Sequence, residues 1–194
     1  GAGSGLGLAL ARRYAAAGDR VAVVDIVAER AEAAADALAG SGHLAMAADV
    51  GSDESMQALG EFVRAEWGGL DVLVNNAGVA SGGPLVDAPM EEWRWVLEIN
   101  LLGVVRGCRQ FVPGMLAAGR GQVINVASFA GLAGAPGIMS YGVAKAGVVA
   151  LSEQLRAEVH GRGVRVAVVC PSFFRTNMTE NFRGSPKMMA GANR

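Results

Sequence analysis

The sequence predicts an α/β protein built on a doubly wound parallel sheet, arranged in three layers with helices on both faces. Three observations carry this prediction. Valine-rich runs of strand length alternate with stretches of helical periodicity along most of the chain. The runs are nearly continuously apolar, as strands covered on both faces are. Right-handed crossovers between such parallel strands then wind the chain to both sides.

The elements follow in order. Helical periodicity covers about Leu6 to Ala17, and "RVAVVD" reads as a buried strand ending on Asp25. A helix covers "AERAEAAADAL" and a second strand "HLAMAADV". "SDESMQALGEFVRAEW" opens with capping residues and keeps its apolar residues on one face. "LDVLVNNAG" is a third strand running into a turn, and residues 89–119 read as one long helix with Pro113 near its end. "GQVINVAS" is the fourth strand, "YGVAKAGVVALSEQLRAEVHG" the next helix and "VRVAVVCP" the fifth strand. No repeat or low-complexity linker interrupts them, so residues 1–194 read as a single domain, with 171–194 as part of a substrate-binding loop region.

The totals exclude several partners. The formal net charge is −1, without the clustered basic surplus that nucleic acid or an anionic membrane would select. The longest nearly apolar stretch, "FAGLAGAPGIM", is short and broken by Gly and Pro, so no membrane span is expected. Cys108 and Cys170 read as reduced core thiols of a cytoplasmic protein, and no Cys/His/carboxylate spacing suggests a metal.

In doubly wound sheets ligands bind beyond the carboxyl ends of the strands. Those ends are Asp25, Asp49–Val50, Asn75 to Gly78, Ala127–Ser128 and Cys170–Pro171. Gly1, Gly5 and Gly7 precede the first helix, where free N–H groups and the helix dipole favour a phosphate that no side chain obstructs. An ordinary tight turn would use the same residues, and glycine is about twice its usual frequency here. Asp25, at the end of the next strand, could accept both hydroxyls of an adenosine ribose and would repel a 2′-phosphate. The pair therefore favours NAD over NADP.

Tyr141 and Lys145 stand four apart, on one face of a helix. The chain has two tyrosines and two lysines against fifteen arginines, so a lysine here is a departure from its habit. A phenol titrates near 10, and lowering it by about three units takes roughly 4 kcal/mol. The ammonium and a positively charged nicotinamide ring would favour phenolate in that direction, letting Tyr141 take a proton from an alcohol. Ser128, closing the fourth strand, could hold the substrate oxygen, or be a turn or cap residue. Asn100, inside a predicted helix, could bind an ordered water or simply satisfy a core hydrogen bond.

Taken together, "GAGSGLG", "DV" at Asp49, "NNAG" at Asn75 to Gly78, Asn100, Ser128 and "YGVAK" resemble the classical short-chain dehydrogenases/reductases. The resemblance runs in order along almost the whole chain. It implies a Rossmann-like fold and an oxidoreductase interconverting a secondary alcohol and a ketone. Tyr141 would be the general acid/base, Lys145 would bind the nicotinamide ribose and tune Tyr141, Ser128 would orient the carbonyl, and Asn100 would hold a water. Gly1, Ser4, Gly5, Leu6 and Gly7 would line the pyrophosphate, Asp25 the adenosine ribose, and Asp49 and Val50 the adenine. Asn76, Ala77 and Gly78 would floor the adenine ribose, while Pro171 and Thr176 would flank the nicotinamide. A homotetramer or dimer is the implied assembly.

Two departures stand out. Where the family usually has glycine after Pro171, this chain has Ser172, in "PSFFRT". The resemblance also implies a strand ahead of Gly1 and a helix and strand after Arg194. The expectation is that residues 1–194 alone leave the strands ending at Asp25 and Asn75 with bare edges and are poorly soluble or molten. The pocket walls are expected from Val79 to Leu85, Phe129 to Pro136, and Phe173, Phe174, Met178, Met188 and Met189, which suits an apolar or cyclic substrate. Arg175 and Arg183 leave room for a small anionic group. A different class stays open: a non-catalytic NAD(H)-binding sensor or scaffold on the same fold, or an inactive fragment.

Overall fold

The computed structural model describes residues 1–172 and 183–184. Six helices and seven strands alternate in it. They are α1 (Gly5–Ala16), β1 (Ala22–Asp25), α2 (Ala28–Asp36), β2 (Leu44–Ala47), α3 (Asp53–Trp67), β3 (Val72–Asn75) and the short β4 (Ser81–Gly82). Then come α4 (Met90–Leu97), a π turn (Glu98–Leu102), α5 (Gly103–Ala118), β5 (Gly121–Val126), a 3₁₀ turn (Phe129–Gly131), α6 (Met139–Glu158), β6 (Val164–Val169) and β7 (Arg183–Gly184). Every strand pairing is parallel. This is the Rossmann-like α/β architecture read from the alternation.

The strands order as β1–β2 and as β3–β5–β6, with β4 and β7 forming a separate two-stranded ribbon. Among the described residues β1 and β3 each pair on one side only. Between them lies a cavity of about 870 Å³, reaching from Gly1 and Gly7 to Asp71. The backbone N–H of Ala2 bonds the Val24 carbonyl at 2.8 Å, bringing the glycine turn over the end of β1.

The core divides along the same line. Ala11, Ala15, Val23, Ala31, Ala34 and Leu38 form one cluster under α1 and α2. A larger one gathers Met56, Val63, Leu73, Phe111, Met115, Val123 and Val148 where α3, α5 and α6 cover β3 and β5. Small residues on α1 and α2 let those helices lie close to β1, while the bulk of the burial stands behind β5. No helix of the described residues is long and apolar enough to cross a membrane.

The one long helix expected over residues 89–119 is instead two helices joined by the π turn, because five residues there make a single wide turn. The departure falls on Asn100. Pro113 stays inside α5 without ending it.

Candidate active site

The site is assembled where β5 ends and α6 begins. After Val126 the chain stays extended to Ser128 (φ −165°), whose hydroxyl accepts the Ala130 N–H at 3.2 Å and so starts the 3₁₀ turn. Ser128 also acts on the Tyr141 phenol, drawing its titration down. One turn further along α6, Lys145 is 2% exposed, donates from Nζ to the Val126 carbonyl at 2.9 Å, and lies 5.8 Å from the centre of the Tyr141 ring. Among the described residues no carboxylate pairs with it. Burial alone brings its ammonium down to about 8, so it carries its charge at neutral pH without a counter-ion.

Within the chain's own residues, burial works against the lowering expected of Tyr141. Burial pushes Tyr141 above its ordinary value, and the Ser128 hydrogen bond only partly opposes this. Lys145 Nζ lies on the ring side of the phenol and spends its hydrogen bond on the Val126 carbonyl. Removing the phenol from water outweighs what the neighbours return.

Asn100 reaches the same place from the π turn. Its side chain is fully buried, Oδ1 accepting the Val79 N–H and Nδ2 donating to the Val79 carbonyl, both at 2.8 Å. The core hydrogen bond is therefore present. One amide hydrogen and one lone pair are left for a water. A methyl group on Gly78 would stand 3.1 Å from Asn100 Oδ1 and 3.5 Å from Lys145 Nζ, so the bare backbone at 78 is what both groups face. Asn100, Ser128, Tyr141, Lys145 and Gly78 are thus drawn into one neighbourhood.

The glycine turn stands across the sheet's rim. Ser4 caps α1 in extended backbone but its side chain makes no capping bond, and the first turn of α1 has no acidic residue. The N–H groups of Gly5, Leu6 and Gly7 therefore open an uncapped helix start. Gly5 has φ +52° and nothing within 4 Å of where a Cβ would be, whereas a Cβ on Gly7 would stand 2.1 Å from the Gly1 carbonyl oxygen. This cradle fits a phosphate: donors face outward and no side chain fills the space. Asn76 Nδ2 bonds the Gly1 carbonyl at 3.0 Å, and the Cα of Ala77 packs against Gly1, which fixes the turn to the end of β3.

Asp25 is nearly buried, at 4% exposure, and turns back on the loop. Its Oδ2 accepts the Gly3 N–H at 3.0 Å and its Oδ1 the Val27 N–H at 3.2 Å. Burial raises its carboxyl, while the Val27 and Gly3 N–H groups and Arg30 draw it down. Asp49 is exposed, its Oδ1 accepting the Gly51 N–H at 2.8 Å. Val50 packs on Gly103, and its carbonyl takes a bond from Arg106, which also pairs with Asp53 and Glu98. Pro171 ties the last rim loop to the seam, its carbonyl accepting the Phe129 N–H at 2.9 Å. Thr176 and the tail side chains from Phe173 onward lie outside the described residues.

Two polar groupings were not anticipated from the sequence. Asn75, Asn125 and Ser152 form a buried chain beside Cys108, and the Ser81 and Ser140 hydroxyls meet at 2.7 Å just ahead of Tyr141. Asn125 interrupts the apolar run "GQVINVAS", which was the available signal; nothing marked the serine pair. Burial pushes the Cys108 thiol up to about 11, against the opposing bonds from Asn125 and Asn75. No group of three His, Cys, Asp or Glu among the described residues could hold a metal ion. The large cavity touches the glycine turn at one end, but Ser128, Tyr141 and Lys145 do not line it, so it is distinct from the reactive neighbourhood.

Residues 1–187 match the family described as short chain dehydrogenase. The chain is 40% identical over 189 residues to D-threitol dehydrogenase of Mycolicibacterium smegmatis, covering 96% of this chain and 73% of that protein. It superposes on a short chain dehydrogenase/reductase from Burkholderia phymatum, solved with NAD, at a TM-score of 0.90 and 33% identity. That match covers 93% of this chain and 66% of the other. Serine dehydrogenase complexed with NADP+ is similar as well, with a TM-score of 0.87 and 34% identity over 91% of this chain and 72% of its own. The chain thus spans about two thirds to three quarters of these relatives.

Proposed function

This chain belongs to the short chain dehydrogenase family, and from that premise we propose that it is part of an NAD-dependent oxidoreductase interconverting a secondary alcohol and a ketone. The observation that carries the proposal is the uncompensated ammonium: Lys145, buried and without a carboxylate, beside a phenol that Ser128 holds. A buried charge without a counter-ion costs stability, and acid–base chemistry at Tyr141 gives it a purpose.

When bound, a nicotinamide cofactor supplies the hydride donor or acceptor; the open N–H groups of α1 would hold its phosphates and Asp25 its adenosine ribose. The chain's own residues handle the proton. Ser128 donates a hydrogen bond to the substrate oxygen, and Tyr141 Oη gives a proton to that oxygen or takes one from it. Lys145, charged below about pH 8, favours the phenolate whenever the proton leaves. With the phenol raised and the ammonium charged, the resting pair holds a proton that can be given to a carbonyl oxygen. Asn100 keeps the backbone at Val79 in place beside them and has capacity left for a relay water.

Supporting an apolar substrate, Leu85, Val86, Phe129, Leu132 and Met139 stand exposed on the segments that border the site. Exposed Leu102 and Val143, on the α4–α5 helical segment and on α6, support assembly as a homo-oligomer. NAD is preferred over NADP on the argument that the Asp25 carboxylate would repel a 2′-phosphate.

The raised phenol favours one other reading, a non-catalytic NAD(H)-binding sensor or scaffold. Replacing Tyr141 by Phe in the full-length protein separates the two. With a panel of alcohols and ketones followed by NADH absorbance, kcat should fall by about a thousandfold while NADH binding stays. Turnover that survives the change removes the mechanism.

A further inference from the structure

Three successive points at the end of β5 touch α6. Asn125 Nδ2 donates to Ser152 Oγ at 2.9 Å, the Val126 carbonyl accepts from Lys145 Nζ at 2.9 Å, and the Ser128 hydroxyl acts on the Tyr141 phenol. Ser152, Lys145 and Tyr141 are seven and four residues apart. They are therefore stacked on one face of the helix, about two turns and then one. The last two contacts belong to the proposed chemistry. The first has none of its own.

It is also the most enclosed. Asn125 is fully buried and Ser152 is 2% exposed. Asn125 Oδ1 accepts from Asn75 Nδ2 at 2.8 Å, in register across β3 and β5, and Ser152 Oγ donates to the Val148 carbonyl at 2.7 Å. No buried side-chain polar atom is left without a partner among the described residues. A leucine, with the same branched shape, would occupy position 125 without burying an amide. Apolar packing, however, has no direction along the helix axis, whereas the amide–hydroxyl bond does. A slip of one residue along the helix, about 1.5 Å with a turn of about 100°, would point Lys145 away from the Val126 carbonyl.

We infer that Asn125 is a positioning residue: with Ser152 it fixes where α6 sits along β5, and so sets Lys145 against the Val126 carbonyl and Tyr141 beneath Ser128. The inference rests on the roles proposed above for Tyr141 and Lys145. Asn75 anchors the amide from the β3 side, which couples the rim under the glycine turn to the helix that bears the reactive pair.

The test uses the full-length protein with Asn125→Leu, Ser152→Ala or Ser152→Thr. Two quantities are read: the phenolate absorbance titration of Tyr141, taken as the difference from Tyr141→Phe, and the steady-state constants with NADH. Asn125→Leu and Ser152→Ala should raise the phenol titration by about half a pH unit or more and lower kcat about tenfold. KM for the ketone should stay within about twofold, and Ser152→Thr, which keeps the hydroxyl, should restore both. A folded Asn125→Leu protein with the parent's titration overturns the inference. If that variant does not fold, the serine pair decides, and Ser152→Ala matching Ser152→Thr overturns it equally. Failure of the catalytic reading looks different: Tyr141→Phe keeps its turnover, while the titration still reports whether Asn125 positions the phenol.

Discussion

At the mouth of α1 a methyl group on Gly7 would press to 2.1 Å from the Gly1 carbonyl, while at the mouth of α6 Lys145 sits 2% exposed and hydrogen-bonded to β5. The first region works because side chains are missing and backbone N–H groups are bare. The second works because long polar side chains have been buried and each given a partner. A glycine turn of this kind suits any anion of the right size, so on the proposed reading its selectivity comes from elsewhere, namely Asp25. The β5–α6 seam is specific in itself, and it holds a charge that folding alone would not favour.

The comparison can be broken most directly at Lys145. Lys145→Met should lower kcat at least about a hundredfold, yet leave the full-length protein as stable as before or more so at pH 7. The sign follows from the direction of the shift. Folding lowers the ammonium from 10.5 to about 8, so between those values the unfolded chain binds more protons and stability rises with pH. Thermal melts from pH 7 to 10.5 should show that rise in the parent and not in the methionine variant. A parent whose melting point is flat across this window contradicts a buried, unpaired ammonium.

A smaller effect is expected at the turn. Gly7→Ala should weaken NADH binding about tenfold and cost about 2 kcal/mol of stability, because the added carbon meets backbone at Gly1 and the Asn76 amide. Fluorescence titration with NADH and a denaturant melt measure both, and unchanged affinity would mean that the turn does not hold the cofactor. The smallest change is at Asp25. Asp25→Asn keeps the shape but removes the charge, and should narrow the preference for NADH over NADPH by a few-fold to about tenfold. A parent that already prefers NADPH would refute the use made of this carboxylate.

Much of the fold was legible because strands buried on both faces must be continuously apolar, and the runs ending at Asp25, Asn75 and Ser128 announce themselves. The sheet rim was legible for the same reason, since polar residues where an apolar run stops mark the carboxyl end. Tyr141 and Lys145 stood out because the chain uses arginine nearly everywhere else. What escaped depended on three-dimensional packing. The π turn at Asn100 cannot be told from a straight helix by apolar spacing, and the Ser81–Ser140 pair joins residues 59 positions apart. The upward push of burial on Tyr141 was not legible either, because helical spacing carries no measure of how far a phenol is withdrawn from water.

The π turn has one more consequence. Residues 98–102 hold one residue beyond what a regular helix requires, which makes the turn behave as an insertion carried inside an otherwise continuous rod. Excising a single position there would let α4 and α5 fuse smoothly, and it would swing everything upstream by about 100° around the common axis. The amide that now grips both polar groups of one peptide unit at Val79 would point elsewhere. Chain length through this segment is thus a constraint in its own right, independent of which amino acids fill it.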